Sequence, residues 1–223
     1  MPDGVTVDHL TVTPSTMDAA RAYVGPTPHW IVADRQTAAR GRQGRSWLSQ
    51  DGSFAATAIL TPNVPPDQAA LWSFVAACAL HHALAQFVAP ALLSQKWPND
   101  VLLDGGKVAG ILLEAVSTRP GTVDRLHIGI GVNLGHAPQH VKDAAFAPKG
   151  IADVVGQPVT PDAFLPPLTT SFARYSEQMT SLGFAPIRTA WMKDAARLGH
   201  TIKARTTRTT YQGRFDGIDD TGN

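Results

Sequence analysis

The chain has 223 residues, of which 43% are hydrophobic and 17% are charged, and its formal net charge is +1. This composition is typical of a soluble globular protein and excludes an intrinsically disordered chain. The near-zero net charge disfavours a general nucleic-acid binder, which normally carries a basic stripe over a whole face. The single cysteine, Cys78, excludes an internal disulfide framework and suits a reducing compartment, and its apolar sequence context predicts core packing.

The first residues lack the basic segment and apolar run of a secretory signal, so we expect none. No stretch approaches the roughly 20 apolar residues that are needed to span a bilayer. We therefore expect a cytoplasmic protein that makes no membrane contact.

The first half of the chain predicts alternating strands and helices. In chain order these are a strand over residues 5–12, a helix over 16–24, strands over 30–33 and 54–60, and a long helix over 67–88. Ser15 followed three residues later by Asp18 is an N-cap pattern and marks the start of the first helix. A polar loop that contains glycine follows the second strand.

The second half predicts short strands joined by tight turns. These strands cover residues 92–97, 101–103, 107–115 and 125–134, followed by helices over 162–182 and 186–198 and two strands over 201–210 and 211–218. Asp104-Gly105-Gly106 supplies a hairpin turn. Pro166 and Pro167 are expected to kink or break the helix that contains them.

This order of elements predicts an α+β fold, with a mixed, largely antiparallel sheet and helices packed on it. We expect a main domain over residues 1–198 and a partial β domain over 199–223. Two strands alone are marginal in water. Either this tail packs against the main domain, or a C-terminal piece is absent from the chain.

One loop, residues 40–47, places three arginines around two glycines, in the order Arg-Gly-Arg-Gln-Gly-Arg-Ser-Trp. Glycines let backbone N–H groups approach an anion closely, and arginines add permanently charged bidentate donors. Taken alone, the loop fits equally a ligand anion site and a solvated basic loop that touches RNA phosphates.

A second motif, Lys96-Trp97-Pro98-Asn99-Asp100, favours the ligand site because it places a cation, an amide and a carboxylate beside a proline. Lys107 follows in the glycine-rich hairpin, with Gly110 admitting a ligand beside it. Together these side chains describe a site that is built to hold two anions close together. Such a site indicates activation of a carboxylate by a nucleotide. Asp100 is a candidate for binding Mg²⁺ and, on its chemistry alone, for a general base.

Other cofactor motifs are absent from the sequence. Gly129-Ile130-Gly131 lacks the third glycine and the following helix of a dinucleotide-binding turn. The eight histidines show no metal-ligand spacing. We expect no zinc, haem or NAD.

These motifs, taken together, resemble the biotin protein ligases, which attach biotin to a lysine of a carrier protein. The matching stretches run in the order of the family: Ser15-Thr16, Gln36 with residues 40–47, Lys96 to Asp100, Lys107 to Glu114, and Gly129 to Asn133. The resemblance covers residues 10–135 well and weakens toward Ile218. It implies a class II synthetase-like catalytic domain and an incomplete SH3-like C-terminal domain.

The resemblance also implies roles for individual residues. The biotin-binding residues would be Ser15, Thr16, Gln36, Arg40, Gly41, Arg42, Trp47, Lys107 and Gly110. The ATP-binding residues would be Arg42, Arg45, Asn99, Asp100 and Asn133. Catalysis would rest on Arg40, Arg42 and Lys107, and Asp100 would bind Mg²⁺. Ser15 is also explained as a helix cap, and Trp47 as a core side chain.

The chain departs from the family pattern at Ala39, where glycine is usual, and at Met17-Asp18, where a more polar pair is usual. The implied partners are biotin, ATP and a biotin carboxyl carrier protein. Since Ser15 lies so near the N-terminus, we expect no DNA-binding domain and no specific nucleic-acid partner. The sequence leaves open whether two copies form a homodimer.

Three alternatives remain at this point. A lipoate- or octanoate-handling ligase or transferase would share the same architecture. A non-catalytic sensor of biotin or nucleotide would explain a short C-terminal domain. An RNA-binding module would use the basic loop, although the near-neutral charge disfavours it.

Overall fold

One mixed sheet of seven strands organises the fold. The computed structural model describes residues 1–48, 50–139, 141, 146–205 and 209–223. The strands are β1 (Thr6–Thr13), β2 (His29–Gln36), β3 (Phe54–Leu60), β4 (Leu93–Lys96), β5 (Asp100–Leu103), β6 (Gly106–Val116) and β7 (Arg125–Val132). Their spatial order is β1-β2-β3-β7-β6-β5-β4. The pair β1–β2 is parallel and the other neighbours are antiparallel, which confirms the predicted mixed, largely antiparallel sheet.

Helices cover both faces of this sheet. They are α1 (Thr16–Ala22), α2 (Pro66–Ala70), α3 (Trp72–Leu84), α4 (Ala152–Val155), α5 (Pro161–Leu182) and α6 (Phe184–Lys193). Helix α3 is buried along almost its whole length, with Cys78 only 2% exposed, because it packs between the sheet and helices α5 and α6. This confirms the core position of Cys78, where burial raises the pKa of the thiol to about 12.

The opposite face of the sheet carries α1. Ser15 caps this helix by accepting a hydrogen bond from the backbone N–H of Met17 at 3.2 Å, which confirms the predicted N-cap. Ala20 packs on Ile31 of β2 and Ile59 of β3, so the helix covers one end of this face. Near the N-terminus of the helix, Met17 lies against Gly129 in the middle of β7.

The hairpin between β5 and β6 also forms as predicted. Asp104 and Gly105 both have positive φ, 47° and 73°, as a two-residue turn of type I′ requires. Position 105 therefore favours glycine for conformational reasons.

The long helix predicted over residues 67–88 is wrong in two respects. It is divided into α2 and α3 at Leu71, whose N–H bonds to the carbonyl of Gln68, three residues back. It also stops at Leu84, because Gln86 and Phe87 again bond three residues back in tight turns. An apolar periodicity cannot distinguish these turns from a continuing helix.

The break expected at Pro166 and Pro167 does not occur, and α5 runs through both residues. The two carbonyls that lose a partner belong to the exposed residues Asp162 and Ala163, where water can replace the missing N–H. The next helix, α6, ends before the predicted residue 198. The chain after it joins the edge of β4 instead, since Gln95 bonds to Asp194 and Ala196 bonds to Gln95.

The C-terminal segment contains a two-stranded antiparallel sheet, β8 (Thr201–Arg205) and β9 (Thr210–Arg214). β9 is shorter than the predicted strand over 211–218, and residues 206–208 of the first predicted strand lie outside the described residues. Beyond them, Phe215 and Ile218 are buried in the main core, and Arg188 of α6 donates to the carbonyl of Ile218 at 2.6 Å. The tail therefore packs against the helices of the main body. Within the described residues, no helix is both long and apolar enough to cross a bilayer.

Trp191 offers a direct test of this packing. Its side chain is 0% exposed, with ring centroids 5.4 Å from Phe74 and 6.3 Å from Phe215. We expect Trp191→Ala to lower the free energy of unfolding by about 3–5 kcal/mol in a urea titration, because it leaves a large cavity. Leu182→Ala, at a residue that is 69% exposed, is the control. A loss below about 1 kcal/mol for Trp191→Ala would contradict the described core.

Candidate active site

A cavity of about 1220 Å³ opens on the α1 face of the sheet. Its walls come from the start of α1, the arginine loop, the turn between β4 and β5, and the beginning of β8. The structure brings all the predicted site residues to this one cavity: Ser15, Thr16, Gln36, Arg40, Gly41, Arg42, Arg45, Trp47, Asn99, Asp100, Lys107, Gly110 and Asn133. The predicted residues, which span the chain from Ser15 to Asn133, thus share one lining.

The floor of the cavity is built from glycines on adjacent strands. Gly110 of β6 lies opposite Gly131 of β7. A Cβ atom at Gly131 would lie 2.7 Å from Cε2 of Trp47, and one at Gly129 would lie 2.8 Å from Sδ of Met17. Glycine at these positions lets the indole and the thioether lie directly on the sheet. The spacing of Gly129 and Gly131 argues against a dinucleotide turn, but nothing in the local sequence predicts their role as a floor.

One end of the cavity is polar and uncharged. The Oε1 atom of Gln36 accepts hydrogen bonds from the backbone N–H of Thr16 at 2.8 Å and from its hydroxyl at 3.2 Å. Thr57 of β3, which is fully buried, donates to the Thr16 hydroxyl at 2.9 Å. The side-chain carbonyl oxygen of Gln36 thus already accepts two hydrogen bonds. The side-chain NH₂ group is therefore the one that can donate to a ligand. Thr57 could not be predicted as part of the site, since nothing local distinguishes it from another strand residue.

The charged part of the cavity is organised by Asp100. The Nζ atom of Lys96 lies 3.0 Å from its Oδ2 atom, and Nζ of Lys107 lies 2.6 Å from its Oδ1 atom. Burial opposes ionisation of this carboxyl, but Lys107 and Lys96 outweigh burial and lower its pKa. An ionised Asp100 therefore holds two ammonium groups side by side, and the cluster carries one net positive charge. The Nζ atom of Lys107 also lies 5.4 Å from the Trp47 ring centroid.

This arrangement does not fit Asp100 as a magnesium ligand. Both of its oxygens are ion-paired with lysines, and its side chain is only 12% exposed. A cation at Asp100 would therefore have to displace an ammonium group from it. A carboxylate with a lowered pKa is also a weak base, so Asp100 is a poor general base.

The arginine loop has its own short framework. The N–H of Gly41 bonds to the carbonyl of Arg45 at 2.7 Å, around a 3₁₀ turn over Arg42–Gly44. Gly44 has a φ of 72°, which explains glycine at that position. Arg42 donates to Oδ1 of Asn99 at 3.1 Å, which links the loop to the lysine motif. Arg45 is exposed at the rim of the cavity.

The three loop arginines differ in their surroundings. Arg40 donates two hydrogen bonds to Asp18, at 2.9 and 2.7 Å, so its guanidinium is already paired with a carboxylate. Arg42 and Arg45 have no ion pair within the described parts of the chain. The sequence pattern at Asp18 indicates only an N-cap and a departure from the family, so its pairing with Arg40 was not predicted.

Besides Oδ1 of Asp100, which is ion-paired with Lys107, two buried polar atoms on the lining have no hydrogen-bond partner among the described residues. They are Oδ1 of Asn133 and Nε1 of Trp47. The amide nitrogen of Asn133 is satisfied, because it donates to the carbonyl of Lys149 at 3.0 Å. Since buried polar atoms are rarely left unpaired, the free oxygen of Asn133 is a candidate acceptor for a ligand N–H.

Comparison with known proteins agrees with this geometry. A sequence model of the Biotin/lipoate A/B protein ligase family matches residues 10–133. The biotin–[acetyl-CoA-carboxylase] ligase of Paracoccus denitrificans is 49% identical over 196 residues, which cover 86% of this chain and 81% of that protein. The bifunctional ligase/repressor of Bacillus subtilis is 33% identical over 221 residues, which cover 96% of this chain and 66% of that protein.

Among solved structures, the biotin protein ligase from Aquifex aeolicus in complex with biotin and ATP superposes with a TM-score of 0.82 at 25% identity. The match covers 97% of this chain and 89% of that one. The chain therefore belongs to the Biotin/lipoate A/B protein ligase family, which confirms the resemblance found in its sequence.

The Asp100 cluster makes stability depend on pH. Because the folded-state pKa of Asp100 is lowered, its stabilisation is present above the unfolded value of about 3.9 and is lost as pH falls through the lower folded value. We expect Asp100→Asn to cost roughly 2–3 kcal/mol at pH 7, since it leaves two lysines unpaired, and we expect this cost to shrink below about pH 4. Urea titrations of both proteins across this range provide the measurement.

Asp34→Asn, at an exposed carboxylate outside the cavity, is the matched control and should change stability by less than about 0.5 kcal/mol. A cost for Asp100→Asn that stays constant from pH 7 to pH 3 would contradict the ionised pair.

Proposed function

We propose that this protein is an ATP-dependent ligase that activates biotin as biotinyl-5′-AMP and transfers the biotinyl group to a lysine of a biotin carboxyl carrier protein. The observation that carries the proposal is the pair of ammonium groups that Asp100 holds on the wall of a cavity whose other end is polar and uncharged. Such a cavity suits a ligand with a neutral head and an anionic tail. We further propose that the protein acts in the cytoplasm.

The uncharged end supports binding of the biotin ring system. A cyclic urea presents one carbonyl acceptor and two N–H donors, so it requires neutral partners of both kinds. Ser15, Thr16 and Gln36 supply hydroxyl and amide groups there. Trp47, which lies flat on Gly131, supplies an apolar wall, and Lys107 stands where the carboxylate of the ligand would end.

The other end supports binding of ATP. Within the described part of the chain Arg42 and Arg45 have no acidic partner, so both can pair with phosphate oxygens, and Asn99 fixes the position of Arg42. The unpaired Oδ1 atom of Asn133 is an acceptor of the kind that the exocyclic amine of adenine requires. Magnesium enters as part of the MgATP substrate and is not assigned to Asp100.

The first chemical step joins two anions. A carboxylate oxygen of biotin attacks the α-phosphorus of ATP, the bond to pyrophosphate breaks, and a mixed anhydride forms. Lys107 and Arg42 offset the repulsion between the reactants and stabilise the charge that develops in the transition state. Because Asp100 and Asn99 fix these cations in advance, little reorganisation is needed during the reaction.

In the second step the amine of the acceptor lysine attacks the carbonyl of the anhydride, and AMP leaves. A free lysine has a pKa near 10.4, so only a small fraction of the amine is nucleophilic at neutral pH. The ionised, lysine-bound Asp100 is poorly suited to remove the proton. We propose that this step depends mainly on positioning of the two reactants.

Transfer of lipoate or octanoate is the second candidate function, because the description of the matched family includes both biotin and lipoate ligases. The hydrogen-bonding groups Thr16, Gln36 and Thr57 at the uncharged end favour a polar head group over an alkyl chain or dithiolane. Competition of bound biotin by lipoate would separate the two candidates.

Exchange of labelled pyrophosphate into ATP tests the adenylation step. We expect exchange to require biotin and kcat/KM to fall by about 100-fold or more in Arg42→Ala and in Lys107→Ala, because each removes a cation that faces the reacting anions. Arg119→Ala and Lys193→Ala are matched controls at exposed positions outside the cavity and should leave exchange unchanged.

Tight binding of biotin without any exchange would indicate a sensor and would contradict the proposal. Exchange that depends on lipoate and not on biotin would contradict the proposal and would support the second candidate function, the transfer of lipoate or octanoate. Equal losses in the control variants would mean that net charge, and not the position of the cations, governs the rate.

A further inference from the structure

The first arginine of the loop is bound to an acid from a different element. Arg40 donates through Nη1 to Oδ2 of Asp18 at 2.9 Å and through Nη2 to Oδ1 at 2.7 Å. Asp18 lies in the first turn of α1, 22 positions away in the chain. Bidentate pairing of this kind fixes the orientation of the guanidinium as well as its distance.

Two further side chains complete a network of four charges. Arg21 lies 3.1 Å from Oδ1 of Asp18 and 2.7 Å from Oε2 of Glu114, and Nη2 of Arg40 lies 4.0 Å from Oε1 of Glu114. Two acids and two bases leave the network without net charge. The hydrogen bonds between Arg40 and Asp18 lower the pKa of Asp18 and raise the pKa of Arg40, so both groups stay ionised.

The pair stands at the neck of the arginine loop. Arg40 is bridged through its backbone to Ser46, where the two sides of the loop meet. The chain before the neck is also fixed, since Thr37 bonds to the carbonyl of Thr13 and Ala38 bonds to the carbonyl of Pro14. The tip beyond the neck carries Arg42 and bonds mainly to itself. The Arg40–Asp18 pair thus marks the boundary between the anchored neck and the tip.

We infer that Asp18 is a positioning residue, which holds Arg40 and the neck of the loop against α1 so that Arg42 and Arg45 face the cavity. In this assignment Arg40 orders the loop and does not hold the biotin carboxylate. The holding role follows from contacts within the chain, whereas its effect on biotin rests on the proposed function.

Competition for the guanidinium supports this assignment. Asp18 already occupies two of the five N–H donors of the guanidinium and offsets its charge, so a ligand carboxylate would find a weaker partner there than at Arg42 or Arg45. Asp18 is tethered in the same chain and always near, whereas a ligand must be recruited from solution. Displacing Asp18 would also leave its charge beside Glu114 with only Arg21 to offset both. Arg42 and Arg45 carry no such competitor within the described residues.

The exposure of the Arg40 and Asp18 side chains determines how strong their ion pair is expected to be. The side chains of Arg40 and Asp18 are 34% and 37% exposed, and an isolated pair at that exposure contributes little because water screens it. A bidentate ion pair within a network of four charges contributes more stabilisation than an isolated surface pair does. The expected effect is therefore a change in loop order, and not a collapse of the fold.

The loop itself supplies a probe, because trypsin cleaves after arginine. We expect native-state cleavage after Arg42 and Arg45, without any ligand, to be about tenfold faster in Asp18→Asn than in the wild type. Asp34→Asn, an exposed acid on β2, should cleave at the wild-type rate. Asp18→Glu, which keeps the charge, should restore most of the protection. Mass spectrometry of the fragments identifies the cut sites, and a melting curve of each variant verifies that it is folded.

A double-mutant comparison tests the pair itself. Arg40→Gln should accelerate cleavage after Arg42 as much as Asp18→Asn does, and the double variant should be no faster than either. Additive effects, or unchanged cleavage in Asp18→Asn, would overturn the inference whatever the protein's substrate is.

Pyrophosphate exchange then separates positioning from direct contact. We expect Asp18→Asn to raise the KM for biotin about tenfold with kcat within about twofold, since each binding event must order the loop afresh. Arg40→Gln should match it. If Arg40→Gln lowers kcat by about 100-fold while Asp18→Asn does not, Arg40 contacts the reactants and the assignment is overturned. Absence of exchange in the wild type would refute the proposed function and leave the result of the protease test standing.

Discussion

The ion pairs of Asp100 with Lys96 and Lys107 are the contacts on which the rest of the site depends. Two ammonium groups at one wall would repel each other without the carboxylate between them, and a buried carboxylate would be costly without the ammonium groups. Because Asp100 starts β5 and Lys107 lies in β6, the hairpin itself determines their separation. The sheet holds the backbone of these residues rigid, so the two lysines are already in position before any anion binds.

The glycine floor connects this cluster to the uncharged end of the cavity. Any side chain at Gly129 or Gly131 would occupy the space of Met17 or Trp47, so glycine there lets both side chains lie close to the sheet and leaves the cavity beyond them open. Helix α1 and the arginine loop then enclose that space from above, with Asp18 joining one to the other. One cavity can thereby present neutral partners at one end and cations at the other.

Contiguous motifs made much of this predictable from the sequence. The arginine loop and the segment from Lys96 to Asp100 each display their chemistry within a few residues, and all the predicted residues line one cavity. The Arg40–Asp18 pair and the partnership of Thr57 with Thr16 were not predictable, because they depend on how distant elements meet. The same limit explains the errors in the helices. Helix α6 ends where the chain begins to hydrogen-bond to the edge of β4. Helix α5 continues through its prolines because the carbonyls that lose a partner belong to exposed residues. Neither effect is visible in local periodicity.

The central claim is that a carboxylate and a nucleotide react within this one cavity. The most direct test is to incubate the protein with labelled biotin and with ATP labelled in its α-phosphate, without any acceptor, and to isolate the protein rapidly by gel filtration. The account predicts that both labels remain with the protein in equal amounts and leave together as biotinyl-5′-AMP on denaturation. Retention of either label alone, or of both as unreacted biotin and ATP, would contradict it.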